Sequence, residues 1–549
     1  MAEEKQEKKN LSKIKLILKW IGLILLALLI SLALIFQAPW KVTALLVIIL
    51  LACTILPKPY RKWFWLSAGA VVIVLIIWVF LPNKNSNWQP YKYNFEKELA
   101  ALKTKYEIPD EENAATIYDK LTESYDANDY DAAFLDYNMF DVTCYEPWLS
   151  KDYPEAADGL KRNQGTIETL IEISKIEKCI FPISDSMNSS QRLDRLATMR
   201  RWAFLLAIAA NNDIAEGRTE DCLQKNLALL QMGNHLCQQP ETIDWLVGIA
   251  IRAIALRQFN RFVISNNPEE AHLKAIEQSL ENIKHNWSED LPRILEDGKL
   301  SAKKDLASFY EINPKGKIRL SRDPLAEIRA NCRKALQDEK IEYEQLRDAY
   351  ERIAYPSYFE KKLIKAKTIL FWFYIPSPQK AAKIIDSTYE KYYAMSEPDF
   401  DWQEETRKSI STIIFNYLRD TTEYWVIVSD PPLPRIHKQH IRHTCDIQGA
   451  KIIIALSFYK NKTGDWPESL DEIKSLTPAE VFVDPMNGSS FVYKLTDENF
   501  TLYSKGKNNI DENGELDRSS YPQTGADDWL IWPSKLRKTQ EEKTDDEQQ

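Results

Sequence analysis

Three apolar runs open the chain, and a long region of helical periodicity follows them. Trp20–Phe36 carries no charged residue and is extended by Gln37-Ala38-Pro39-Trp40. Val42–Leu56 is shorter and lies between Lys41 and Lys58, and Trp63–Leu81 ends at Pro82. A helix rising about 1.5 Å per residue needs roughly 20 apolar residues to cross about 30 Å of hydrocarbon. The middle run is therefore marginal and needs snorkelling flanks or local thinning. Basic residues select three spans rather than two. Lys5, Lys8, Lys9, Lys13, Lys15 and Lys19 precede the first run, Lys58, Arg61 and Lys62 separate the second from the third, and only Lys41 lies in the first hairpin. Three spans keep both basic clusters in the cytoplasm, whereas two would export one of them. The expected order is a cytoplasmic basic N-terminus at 1–19, three transmembrane helices within 20–82, and residues 83–549 outside. No small-residue cleavage site follows the first run, so no signal peptide is expected, nor a prepilin leader.

From 83 to 430 the pattern is mainly helical. Pro109 followed by Asp110, Glu111 and Glu112 suits the positive end of a helix dipole. Ile167, Leu170, Ile171 and Ser174 keep the spacing of one buried face. Leu196–Glu216 is apolar on more than one side, Gly217-Arg218 breaks it, and Thr219 is placed to cap a second helix carrying Leu223, Leu227, Leu230 and Met232 up to Pro240. Ile243–Phe262 reads as a third long helix, in which Gly248, Ala250, Ala253 and Ala255 permit close packing. Antiparallel pairs joined by a glycine turn are the unit of helical arrays, but no strict repeat recurs, so an irregular α-helical hairpin domain is expected. Asp323–Ala354, Tyr358–Tyr374, Gln379–Met395 and Glu404–Ile427 continue as charged, amphipathic helices. Residues 535–549 read as a disordered acidic tail.

The region from 449 to 532 changes character. An amphipathic helix (Ile452, Ile453, Ala455, Leu456, Tyr459) runs into Gly464-Asp465-Trp466-Pro467, where glycine can end it and proline blocks its continuation. Ser469 and Glu472 have capping-box spacing. Asp484-Pro485-Met486-Asn487-Gly488 is a turn. Phe491–Leu495 and Phe500–Ser504 alternate as a hairpin, and a Gly506–Gly514 loop and Asp527-Asp528-Trp529 come last.

In this order the elements resemble the C-terminal globular head of type II secretion major pseudopilins. The shared items are the G-x-aromatic-P, the D-P-x-x-G turn, Tyr503-Ser504-x-Gly506 and the paired Asp527-Asp528 before Trp529. The resemblance implies a small α+β module over 431–534 and a structural calcium ion held near Asn508, Asp527 and Asp528, with Asp511 also available. Asn508 stands where that family has Asp, and the stretch between loop and return is longer. Glu112-Asn113-Ala114-Ala115, Pro147-Trp148 and the long hairpin, taken with this tail, also resemble a group of bacterial envelope proteins, a resemblance that brings no activity with it. The expected class is mainly α, with N-terminal transmembrane helices, in the bacterial inner membrane with 83–549 in the periplasm. Its partners are then the lipid bilayer and other envelope proteins.

Composition adds little chemistry. A formal charge of −9 argues against a nucleic-acid partner. Of seven cysteines, Cys53 falls in a span, and the other six read as buried thiols rather than a disulfide framework. His437, His440 and His443 with Cys445 suggest zinc, yet on one helix each step of three residues turns about 300°, so they cannot all converge on one ion. With Lys438 and Arg442 interleaved, they read as a solvated face. Phe371-Trp372-Phe373-Tyr374 reads as a buried helix end and Ala302–Arg322 as a solvated basic loop, rather than as membrane contacts. No nucleophile elbow, phosphate loop, H-E-x-x-H, Rossmann glycine pattern or C-x-x-C occurs, so no catalytic and no cofactor-binding residue is assigned. An interaction role is expected, with an envelope hydrolase built in a groove of the helical part as the alternative.

Overall fold

The structure is a computed structural model that describes residues 88–125, 137–183, 189–266, 268–307, 310–316, 318–320, 377–397, 433–496, 499–516 and 525–533, with a few isolated positions between 333 and 400. The expected spans within 20–82, most of the helices between 323 and 427, the aromatic run at 371–374, Cys53, Cys332 and the acidic tail lie outside the described residues. Among those described, the chain is mainly helical with a small C-terminal antiparallel three-stranded sheet, and no helix is long and apolar enough to cross a membrane.

The chain divides into two compact units. The larger comprises 96–298, 395–398 and 431–549. Its centre is a run of helices: α1 (Ser189–Ala215), α2 (Thr219–Cys237), α3 (Thr242–Asn266), α4 (Glu270–Glu281), α5 (Trp287–Ile294) and α6 (Leu433–Thr463). In α1 nearly every residue from Trp202 to Ala210 is buried, because neighbours cover it on several sides. Gly217, at φ 77°, ends it in the left-handed conformation while Arg218 N–H donates 2.7 Å to the Asp213 carbonyl. Thr219, expected to cap α2, is its first helical residue; Arg218 occupies the cap position and its side chain makes no capping hydrogen bond. Glu220 and Asp221 instead place negative charge on the first turn.

The α2–α3 contact is set by two glycines. A Cβ on Gly233 would fall 2.9 Å from the Gly248 carbonyl oxygen, and one on Gly248 would fall 2.9 Å from that of Gly233. Backbone meets backbone here, which no larger residue permits. Polar side chains tie the preceding loops to this layer. Trp148 Nε1 donates 3.1 Å to Ile208 O, and Asn113 bonds both backbone groups of Ile180. Cys144, Cys179, Cys222, Cys237 and Cys445 are buried thiols.

The C-terminal sheet has the order β1–β2–β3, with β1 Val492–Leu495, β2 Phe500–Ser504 and β3 Trp529–Trp532, all antiparallel. It packs on α6, where the absent side chain of Gly449 makes room for Ile531. Gly464 (φ 96°) ends α6, and Glu472 Oε1 accepts from Ser469 N–H in the capping box that opens a 3-10 turn at Leu470–Ile473. Residues of α6 and of this sheet share one apolar cluster with α1, α2 and α3.

The smaller unit, described by itself, contains a second antiparallel sheet of very short strands, Gln89–Pro90, Tyr310–Ile312 and Ile318–Leu320, and the helix Pro378–Ala394. Strands of two or three residues are too short to show alternation, so Tyr310–Ile312 and Ile318–Leu320 lie hidden within the run that reads as a solvated basic loop. Lys303, expected in a solvated basic loop, lies on a helix (Glu296–Ala307), is only 4% exposed and pairs with Asp386 at 2.7 Å.

Candidate functional site

Two clusters of polar groups in the larger unit depart from ordinary packing. The first is the loop from Gly506 to Gly514 with its return at Asp527-Asp528. Four of its residues, Gly506, Asn509, Asn513 and Gly514, have positive φ, so its amides turn toward nearby carboxylates. Asp528 Oδ2 accepts from Glu512 N–H at 2.9 Å and Gly514 N–H at 2.8 Å, and Asp527 Oδ2 accepts from Lys507 N–H at 3.0 Å. The other oxygens, Oδ1 of each, are buried with no hydrogen-bond partner. Burial and the nearby Glu512 carboxylate push the Asp528 carboxyl up to about 6.

Of the residues expected to hold calcium, Asp527 and Asp528 therefore carry free buried oxygens. Asn508 is beside them but its Oδ1 accepts 2.7 Å from Ile510 N–H, while its amide donates to Glu512 Oε1. Asp511 is engaged elsewhere, accepting from Tyr503 Oη at 2.6 Å and pairing with Lys494 at 3.2 Å. Glu512, between Asn508 and the Asp527 amide, takes the place in the cluster that sequence reasoning gave to Asp511. Asn487 ties the Asp484 turn to this loop, donating 2.7 Å to Asp484 Oδ2 and 2.8 Å to Gly506 O.

The second cluster is histidine-rich and buried. The solvated-face reading of His440 and His443 is overturned: they are 6% and 3% exposed, because α6 is covered on that side by other helices of the unit. Their partner in the core is His285, in the loop before α5, whose ring stacks on His440 with centroids 4.0 Å apart. Trp245 of α3 and Trp287 of α5 flank the imidazoles, with centroids 6.3 and 5.2 Å from His440. Asp290, on the first turns of α5, faces His285 with Oδ2 3.6 Å from Nδ1. Its Oδ1 accepts from Arg293 one turn later. One ligand atom each from His285, Asp290 and His440 lies within 4.8 Å of the others.

Burial dominates the electrostatics of these rings. It pushes His440 down to about 2 and His437 to about 4, and His285 and His443 well below the ordinary imidazole value. All four imidazoles are thus neutral near pH 7, the form that binds metal. The three helix-borne histidines do not converge on one ion, as their spacing dictates. The convergence comes from His285, about 155 positions away in sequence, and no local pattern announces it.

Comparison with family models, with curated proteins and with solved structures gives no match for this chain.

Proposed function

We propose that this chain is a membrane-anchored bacterial envelope protein that acts through protein–protein contact rather than catalysis. Three spans within 20–82 hold it in the inner membrane, and residues 83–549 lie on the extracytoplasmic side. An irregular helical hairpin ectodomain carries a C-terminal module similar to the head of type II secretion major pseudopilins, and its partners belong to a secretion or pilus-like machine. The observation that supports this reading best is local: the helix Leu433–Thr463 packs on a three-stranded antiparallel sheet, and the Asp484 turn and the Asp527-Asp528 return close on the loop between them. Calcium at Asp527 and Asp528, with Glu512 and loop carbonyls, answers the two orphaned carboxylate oxygens, since calcium takes six to eight oxygen ligands on flexible loops.

Exposed apolar residues of the module, Ile510 at 62% and Leu495 at 48%, offer contact points. A photo-crosslinking residue at Ile510 in the full chain should capture an envelope secretion component. Adducts to lipid alone, or none, count against the reading. The alternative, an envelope hydrolase, draws on the unpartnered His285, Asp290 and His440 atoms. It requires hydrolytic activity that disappears in His440→Gln.

A further inference from the structure

The hydrogen bonds around His285 fix where its lone pair points. Its Nε2 lies 3.1 Å from the His440 carbonyl oxygen, an acceptor only, so Nε2 carries the proton and donates. A neutral ring then has a bare lone pair on Nδ1, and that atom faces Asp290 Oδ2 at 3.6 Å. Both are acceptors, both are buried, and neither makes a hydrogen bond of good geometry, although the Trp245 indole N–H lies near enough to the Asp290 carboxylate to favour its charged form. His440 Nδ1 is a third buried atom without a partner, and both ring nitrogens of the neighbouring His443 are likewise unsatisfied. Buried polar groups in this state are costly, and several of them together call for an unseen cation.

We propose that His285 Nδ1, Asp290 Oδ2 and His440 Nδ1 hold a first-row divalent metal ion, zinc before others, in a closed structural site. Three features support this beyond the distances within the group. The His285–carbonyl hydrogen bond is the outer contact that fixes tautomer and ring orientation in metal sites, and Arg293 on Oδ1 orients the carboxylate in the same way. Arg293 pairs with the carboxylate and the buried Arg252 also acts on these groups, so the site is not anionic, which disfavours a hard cation such as calcium or magnesium and leaves the neutral imidazoles to select the ion. Finally, the site is walled by Trp245 and Trp287 and lies between α6 and the α3–α5 helices, so the ion would pin the helix that carries the C-terminal sheet to the helical layer. His443, whose ring lies edge-on with its centroid 4.9 Å from that of His285, is outside this group of ligand atoms and lines the site.

The test uses the full chain, purified in detergent without a metal-affinity step and dialysed against metal-free buffer. Elemental analysis should find about one zinc per chain, and chelator should lower the melting temperature, because the ion binds only the folded form. Cobalt(II) replacing zinc should give the visible absorption of nitrogen–oxygen coordination. His440→Gln and Asp290→Asn should each remove the metal and the chelator response. If His440→Gln fails to fold, the wild-type metal content and cobalt spectrum still decide. Metal at background, no cobalt spectrum and no chelator response would overturn the proposal. Zinc retained undiminished in both folded variants would also overturn it, since the ion would then sit elsewhere.

Discussion

Replacing Gly248 by alanine tests the close packing of α2 on α3. The added Cβ would stand 2.7 Å from Cys237 Sγ, 2.9 Å from Cys237 N and 2.9 Å from the Gly233 carbonyl oxygen. Two of these three are backbone atoms, so no rotamer change relieves them, and the helices must separate. Over-packing of this kind costs about 1–3 kcal/mol, whereas alanine in place of a mid-helix glycine returns roughly 1 kcal/mol. Backbone contacts under 3 Å put the cost in the upper part of that range, about 2–3 kcal/mol, so the net expectation is a loss of about 1–2 kcal/mol, or a melting temperature lower by roughly 1–4 °C for a unit of this size. Gly165 is the internal control. It also lies in a helix (Gln164–Ile173), but a Cβ there would meet nothing within 4 Å, so Gly165→Ala should be neutral or stabilising by up to about 1 kcal/mol. The assay is thermal unfolding of the detergent-solubilised full chain followed by helical circular dichroism. A Gly248→Ala melting point at or above wild type would refute the close backbone contact.

Three further outcomes follow from other groups of the larger unit, the buried His235 of α2 and the loop at Asp527-Asp528. Burial pushes His235 from 6.5 down to about 4, so the fold binds fewer protons than the unfolded chain between those values. His235 alone should therefore cost up to about 3 kcal/mol of stability as pH drops from roughly 6.5 to 4, and His235→Gln should make the slope shallower by that share in urea titrations, the other buried histidines keeping theirs. Millimolar calcium should raise the melting temperature of the full chain, by about 2.7 kcal/mol of stabilisation at a hundredfold excess over Kd, and Asp527→Ala with Asp528→Ala should abolish the rise. Because the raised Asp528 carboxyl holds its proton more tightly in the fold, stability in chelator should decrease as pH climbs from about 4 through 6, and Asp528→Asn should remove that decrease.

The parts of this structure that local chemistry dictates were legible in the sequence. Gly464, Gly217, the Ser469–Glu472 box and the hairpin of β1 and β2 act through neighbours in the chain, and each stands where the pattern predicts. Burial of His440 and His443 was not legible, because their interleaved Lys438 and Arg442 imitate a solvent face, and what covers them comes from α3, α5 and the loop before it. The Asp290–His285 pairing was hidden for the same reason, as was the exchange of Asp511 for Glu512 near the paired aspartates. Asp511 had a closer partner in Lys494 across the sheet edge, which spacing along the chain does not reveal.

The claim that the described residues stand outside an inner membrane is tested most directly by topology reporters at the C-terminus. A periplasm-dependent phosphatase and a cytoplasm-dependent fluorescent protein, each fused after Gln549, should give an active phosphatase and a dark fluorophore, and protease added to spheroplasts should digest the chain beyond Pro82. A fluorescent fusion with an inactive phosphatase would place residues 83–549 in the cytoplasm and contradict the account.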